Sequence, residues 1–188
     1  MKNGNIILRY IKHDDIDNYI KWTTIETEWS EWDAPWEDDD GNDFVERQRT
    51  ALSKTPGIFT KLEIELYTGH HIGWVSTYII DNNNDKRAVG IDIPPIDARG
   101  KGYGESALTL FMAYLFSIEN KEFLYTQTWS GNLSMLRLAE KIGFIEIERI
   151  HNIREVRGDL YDALTFLISK ESFFKNYPDL RTVDVKIL

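Results

Sequence analysis

Ala98-Arg99-Gly100-Lys101-Gly102-Tyr103-Gly104-Glu105 stands between two segments of opposite periodicity. Upstream, Arg87 to Ile93 reads as an extended run. Downstream, Glu105 to Glu119 carries Leu108, Phe111, Leu115 and Ile118 at helical spacing, supported by Ala107, Leu110 and Tyr114. Phe123 to Trp129 is extended again. Strand, long helix and strand make a βαβ unit, which requires a right-handed crossover and a parallel strand pair.

The flanking sequence extends this unit into a mixed sheet. Ile58 to Tyr67 and Ile72 to Ile80 are extended runs separated by Thr68-Gly69, and Asn82 to Asp85 forms the next turn, so this half is an antiparallel meander. Before it, Ile6 to Ile11 reads as a strand, and His13-Asp14-Asp15 opens a helix with Asp14 or Asp15 as cap and Ile16, Tyr19 and Ile20 facing inward. A second helix is expected from about Asn42 to Ser53. After the unit, Asn132 to Ile142 reads as a helix stopped by Gly143. Phe144 to Ile153 and Leu160 to Ile168 close a hairpin around Arg157-Gly158-Asp159, and a helix follows from Lys170. The expected class is α+β (mixed α/β). It has a central, mostly antiparallel sheet with one parallel pair and helices on both faces, and residues 1–188 make one domain with 170–188 as an extension.

The turn itself has a chemistry. Three glycines at alternate positions let the backbone take positive φ and approach a ligand closely. Successive N–H groups at a helix N-terminus form an anion nest that the helix dipole reinforces, with Arg99 and Lys101 adding charge. Pyrophosphate is the ligand this favours. The spacing is neither a Walker A loop nor Gly-x-Gly-x-x-Gly. Glycines in a strand-to-helix turn that binds nothing are the alternative.

Composition excludes several classes. The chain of 188 residues has a net charge of −9 and no cysteine, hence no disulfide, thiolate metal site or cysteine nucleophile. No apolar run reaches the roughly 20 residues that span a bilayer, and Met1 to Tyr10 lacks the layout of a signal peptide. A cytoplasmic protein without a membrane partner is expected. Nine acids and no Lys or Arg fall between Glu26 and Asp43, which leaves 22 acids against 22 basic residues elsewhere. No basic stripe is present to neutralise phosphates, so a nucleic-acid partner is not expected, and a cationic partner fits better. No His/Asp/Glu grouping has metal-ligand spacing, and His13, His70, His71 and His151 read as surface residues.

Arg99-x-x-Gly102-x-Gly104 resembles the Arg/Gln-x-x-Gly-x-Gly/Ala motif of the GNAT superfamily of acetyl-CoA-dependent N-acetyltransferases. The resemblance extends to Gly90-Ile91-Asp92-Ile93 and to Arg99 through Leu108. A second block, Asn132-Leu133-Ser134 with Glu140-Lys141-Ile142-Gly143-Phe144, also fits, so the likeness covers roughly Ile6 to Lys170. The Asn132-x-Ser134 start and Arg157-Gly158-Asp159-Leu160-Tyr161-Asp162 are similar to the ribosomal-protein N-terminal acetyltransferases. The resemblance implies that acetyl-CoA is the cosubstrate and that the parallel strands splay to admit its pantetheine arm along Ile91 to Ile93. It also implies that residues 99–104 (Arg99, Gly100, Lys101, Gly102, Tyr103, Gly104) hold the pyrophosphate and that Asn132 bonds the pantetheine, with an N-cap as its other role.

Acetyl transfer to an amine needs a base, a donor to the thioester carbonyl and a proton for the departing thiolate. The tyrosine that supplies that proton in many relatives is replaced here by Ala139, and Ser134 is the corresponding residue. Asp92 is the first candidate base, with Glu28, Glu31, Asp33, Glu148 and Asp162 as alternatives. Asp92 points to the opposite face from Ile91 and Ile93. Trp22 to Asp43 is expected to be an irregular or short-helical surface element. Glu28, Trp29, Trp32 and Asp33 within it form a candidate acceptor site, since indole faces beside carboxylates suit a cation. The same tryptophans would alternatively be core anchors or a homodimer interface, and a catalytically idle or regulatory acyl-CoA-binding module is the alternative to an enzyme.

Overall fold

The computed structural model describes residues 1–36, 41–53, 61–119 and 121–182. The elements run β1 (Lys2–Asn3), β2 (Ile6–Arg9), α1 (Asp15–Thr24), a 3-10 turn (Thr27–Glu31), α2 (Gly41–Leu52), β3 (Lys61–Leu66), β4 (His71–Ile79) and β5 (Arg87–Asp92). A short 3-10 turn at Ile96–Ala98 leads to α3 (Tyr103–Ile118), β6 (Phe123–Trp129), α4 (Leu133–Ile142), β7 (Ile145–Val156), β8 (Asp159–Ser169) and α5 (Lys170–Asn176). The strands form one mixed sheet in the order β1-β2-β3-β4-β5-β6-β8-β7. All its pairings are antiparallel except that between β5 and β6. Residues 58–60 of the second expected strand lie outside the described residues.

Strand alternation sorts the side chains onto two faces. On β4, Val75 enters the larger core with α3, α4 and α5, whereas Trp74 enters a second one with Ile16, Tyr19 and Trp22 of α1 and Val45 of α2. Helices therefore cover both faces. α3 is buried nearly all round from Ala107 to Phe116 because it lies between the sheet and the C-terminal elements. Among the described residues no helix is long and apolar enough to cross a membrane.

Several expectations change here. Ile20, expected to face inward, is 38% exposed. Trp22 is not part of a surface element: it is the last-turn anchor of α1, 1% exposed, with its ring against Tyr19, His71 and Trp74. His71 is not a surface residue either. Its side chain is 3% exposed and lies 2.8 Å from Glu63 and 3.3 Å from Asp15. Asp15 is gripped by both Nη atoms of Arg9 at 2.7 Å and accepts the Lys12 N–H, while Tyr19 donates to Glu63 at 2.6 Å. Asp15 thus serves a buried polar network rather than a cap, and the cap position, Asp14, makes no side-chain cap bond. Such a network is stable when each member is satisfied, and it fixes α1 against β2, β3 and β4.

Candidate active site

β5 and β6 pair at a single register position, Ala88 with Tyr125. Beyond it the Thr126 hydroxyl donates to the Val89 carbonyl at 2.9 Å, and the strands part. The gap opens into a cleft of about 1340 Å³. Val89 to Ile93 line one wall and Tyr125 to Trp129 the other. Gly100, Gly102, Asn132 and Ser134 also line it, as do Trp29, Trp32, Asp33 and Trp74.

The glycine turn has the backbone its sequence demands. Gly100 and Gly102 have φ of 72° and 81°, and a Cβ at either would meet open space rather than protein. Gly102 caps α3, and its carbonyl accepts the Ser106 N–H at 3.1 Å. Among the described residues no acceptor takes the N–H groups of residues 100–105. A helix start leaves about four such groups free; the preceding turn adds more, and the array suits a diphosphate. Gly104 lies against Ile93, Ile91 and Leu138, so the turn is seated on β5 and α4.

The Arg99 side chain departs from expectation. Its Nε donates to the Ile93 carbonyl at 2.8 Å, Nη2 to the Pro94 carbonyl at 2.8 Å and Nη1 to Glu28 at 2.5 Å. The guanidinium therefore ties the turn to the Trp-acid segment. Glu28 is correspondingly committed: its other oxygen accepts the Trp32 indole N–H at 2.7 Å. The Trp32 bond and Arg99 hold the Glu28 carboxyl below the usual carboxylate range, against a smaller burial effect. Glu28 is a strut of the segment, not an open cation site.

A second clamp lies across the cleft. The Trp129 indole and the Asn132 amide both donate to the Trp32 carbonyl at 3.0 Å, while the Asn132 oxygen accepts the Met135 N–H at 2.9 Å. Asn132 thus caps α4 through its oxygen and ties down the acceptor-side segment through its amide nitrogen, and each end keeps one further hydrogen-bonding position.

Asp92 faces the cleft on the α1/α2 side of the sheet. Ile91 and Ile93 pack toward the larger core, and Asp92 stands opposite Trp74 in the β4–β5 register. The residue keeps some exposed area, but protein closes around its carboxyl. Burial first, then Asp33, raise its pKa well above the usual carboxylate range, while Lys61 and the Trp74 indole N–H act against them. A carboxylate made more basic by enclosure suits proton abstraction near neutral pH.

A family model for the acetyltransferase (GNAT) domain matches residues 5–145. The chain belongs to the GNAT acetyltransferase family. It is 25% identical over 107 residues to the SPbeta prophage-derived uncharacterized N-acetyltransferase YokL of Bacillus subtilis (strain 168). That match covers 56% of this chain and 59% of the relative. The fold is similar to a GNAT-family acetyltransferase from Bacillus anthracis, with a TM-score of 0.74 at 14% identity over 91% of this chain and 98% of that one. It is also similar to spermidine N-acetyltransferase from Vibrio cholerae in complex with CoA and spermine, with a TM-score of 0.72 at 17% identity over 92% and 99% of the two chains.

For a GNAT cleft, the remaining candidate residues are placed as follows. Ser134 is exposed in the first turn of α4 on the cleft wall, and its hydroxyl has no partner among the described residues. Asp33, Trp29 and Trp32 also line the cleft, and Trp29 packs on Phe44 and Trp74. Glu148 also lines the cleft, while Asp162 is taken by Arg149 and Glu31 by Arg157. Sequence reasoning missed Trp74, Phe44 and Lys61. The helical and strand patterns marked Trp74 as extended and Phe44 as helical but did not bring them together, because their contact is made through the tertiary fold.

Gly102→Val tests the turn. Left-handed φ costs a β-branched residue about 1–2 kcal/mol, and open space surrounds the new methyl groups, so the variant is expected to fold. Calorimetry with acetyl-CoA is expected to show at least a tenfold weaker affinity, because the valine fills the space in front of the N–H array. Unchanged affinity would remove the turn from cofactor binding.

Proposed function

We propose that this chain transfers the acetyl group of acetyl-CoA to a primary amine in a ternary complex. The observation that carries this reading is the continuity of one cleft, from the free N–H groups of residues 100–105 through the splayed strands to Asp92 and the tryptophan faces. Acetyl-CoA, used by GNAT acetyltransferases, supplies the activated acetyl thioester. The N–H array receives its diphosphate, and the parted edge of β5 at Ile91 to Ile93 receives the pantetheine by strand-like pairing. Asp92 takes the proton of the acceptor ammonium, which frees the nitrogen lone pair to bond to the acetyl carbon. Ser134 supplies its hydroxyl proton to the sulfur as the carbon–sulfur bond breaks, and the second proton, which the nitrogen sheds as the amide forms, restores the Ser134 hydroxyl.

The acceptor is a cationic amine, either a protein N-terminus or a small amine. Asp33 brings a carboxylate to the cleft lining, where Glu28 and Glu31 are held by Arg99 and Arg157, and Trp29, Trp32 and Trp74 offer ring faces. The helix start Asn132-Leu133-Ser134 and the hairpin Arg157 to Asp162 support the ribosomal-protein N-terminal acetyltransferase branch. The fold likeness to the Vibrio cholerae spermidine enzyme supports small amines as the other half of the panel.

The test is thiol release from acetyl-CoA with peptides bearing free N-termini, polyamines, aminosugars and neutral amines. Turnover with cationic amines, weakening as salt screens exposed charge, is the expected result. Cofactor binding without turnover on any amine would make the chain a regulatory or idle module.

A further inference from the structure

Lys61, the first residue of β3, occupies a site that no part of the proposed reaction uses. Its ammonium lies 4.4 Å from the centre of the Trp74 ring, 4.6 Å from that of Tyr19 and 5.4 Å from that of Phe44. Nζ donates to the Gln48 side-chain oxygen at 2.7 Å. This is an ammonium cage of ring faces and one amide, built from β4, α1 and α2. It is filled by the chain's own lysine. Lys61 does not line the cleft, whereas Trp74 and Phe44 do, so the lysine sits behind the cleft wall.

Trp74, whose ring Lys61 covers with its charge, is the direct register partner of Asp92 across β4 and β5, so the two side chains lie side by side on one face of the sheet. Trp74 therefore stands between the two charges, with the cation on its ring face and the carboxylate beside it on the next strand. We propose that Lys61 is a positioning residue for acetyl transfer, the counter-charge behind Trp74 that keeps the Asp92 carboxylate ionised and aimed into the cleft. This rests on the reading of Asp92 as the base.

The groups around the pair act consistently with that role. Asp92 is faced by Asp33 from the acceptor segment, by Trp74 from β4, by Lys61 from β3 and by the Tyr19 hydroxyl from α1. Asp33 raises the Asp92 pKa and Lys61 lowers it. Lys61 in turn is faced by Glu63, Asp92 and Arg47. Burial pulls its pKa down to about 8, against Glu63 and Asp92. The cage thus holds a cation that is charged at neutral pH and loses its charge just above it.

The sign of the effect follows. Below about pH 8 Lys61 is charged and favours the Asp92 carboxylate. Removing that charge leaves more Asp92 protonated, so the base form is scarcer. Above about pH 8 the wild-type lysine is itself neutral, and its removal costs less.

The experiment is the pH profile of kcat/KM for the full chain and for Lys61→Met, with acetyl-CoA and the best amine of the panel. The expected result is a loss of about tenfold at pH 7, the size produced by deleting one close opposite charge. The loss should shrink as pH passes 8, with Lys61→Arg recovering most of the neutral-pH activity and acetyl-CoA affinity unchanged. A folded Lys61→Met with an unmoved profile, or a loss equal at all pH values and not recovered by arginine, would overturn the proposal. If Lys61→Met does not fold, Gln48→Glu replaces it: a carboxylate on Nζ competes with Asp92 for the cation and should move the profile in the same direction, and an unmoved profile overturns the proposal. Asp92→Asn separates the two readings. If that variant keeps full activity, the base reading fails. If it is inactive while Lys61→Met is unmoved, only the role of Lys61 fails.

Discussion

Asp92→Asn is expected to lower kcat by about 10²- to 10⁴-fold, the usual contribution of a positioned base, with little change in acetyl-CoA affinity. Asparagine has the same shape, so packing beside Trp74 on β4 is preserved. What disappears is the basicity that enclosure and Asp33 confer. Stability should move the opposite way. The folded-state pKa of Asp92 is raised above the unfolded value, so the stability this group contributes is present at low pH and lost as pH rises through the raised value. The asparagine variant, which cannot ionise, should therefore melt progressively higher relative to wild type as pH increases from the ordinary carboxylate range. Activity lost with stability gained is the signature of a carboxylate retained for chemistry. Steady-state kinetics and thermal melts at several pH values check both halves. A variant with near-normal kcat and no pH-dependent gain in melting temperature would make Asp92 a structural residue and turn attention to Asp33 and Glu148 in the same cleft.

The half of the candidate site around the glycine turn was legible in its backbone because its signals are local. The glycine spacing at 100–104, the helical period of Leu108 to Ile118 and the stop at Gly143 each lie within a few residues of the structure they create. The splay between β5 and β6 was legible only through the family resemblance, since nothing local says that two parallel strands pair once and part. The acceptor half was read less well. Trp22, Trp29, Trp32 and Trp36 look alike in sequence, yet the first is core, the second braces Phe44 and Trp74, and the last two line the cleft. Charge was equally ambiguous: Glu28, Glu31 and Asp33 are neighbours, but Arg99 and Arg157 take the first two. Those pairings join residues 71 and 126 positions apart. Periodicity carries no information at that range, and the same holds for Lys61 beneath Trp74.

Gly73→Ala is expected to destabilise the fold by about 3 kcal/mol or more, from overpacking together with backbone strain, and to lower Tm by roughly 6–12 °C. Gly73 has φ of 150°, and a Cβ there would lie 2.0 Å from the Asp92 carbonyl oxygen and 3.1 Å from the Ile93 Cα. The obstruction is backbone, not the end of a flexible side chain, so β4 and β5 would have to separate at the base itself. The position also adjoins the register shift between Ile64 and Glu65 on the β3 side, which leaves less freedom to relax in that direction. Gly69→Ala provides the comparison. It too has a left-handed φ, of 86°, but a Cβ there meets nothing within 4 Å, so it should cost about 1–2 kcal/mol. The difference between the two melts isolates the steric part. Activity adds a second readout: in the fraction of Gly73→Ala that is folded, Asp92 is displaced from Trp74, and a misplacement of about 1 Å is enough to cost on the order of 100-fold in rate. Equal melting temperatures for the two alanine variants would mean that β5 can slide away from β4 beside Asp92 at little cost, and that the base is held by its side-chain contacts rather than by the close approach of the strands.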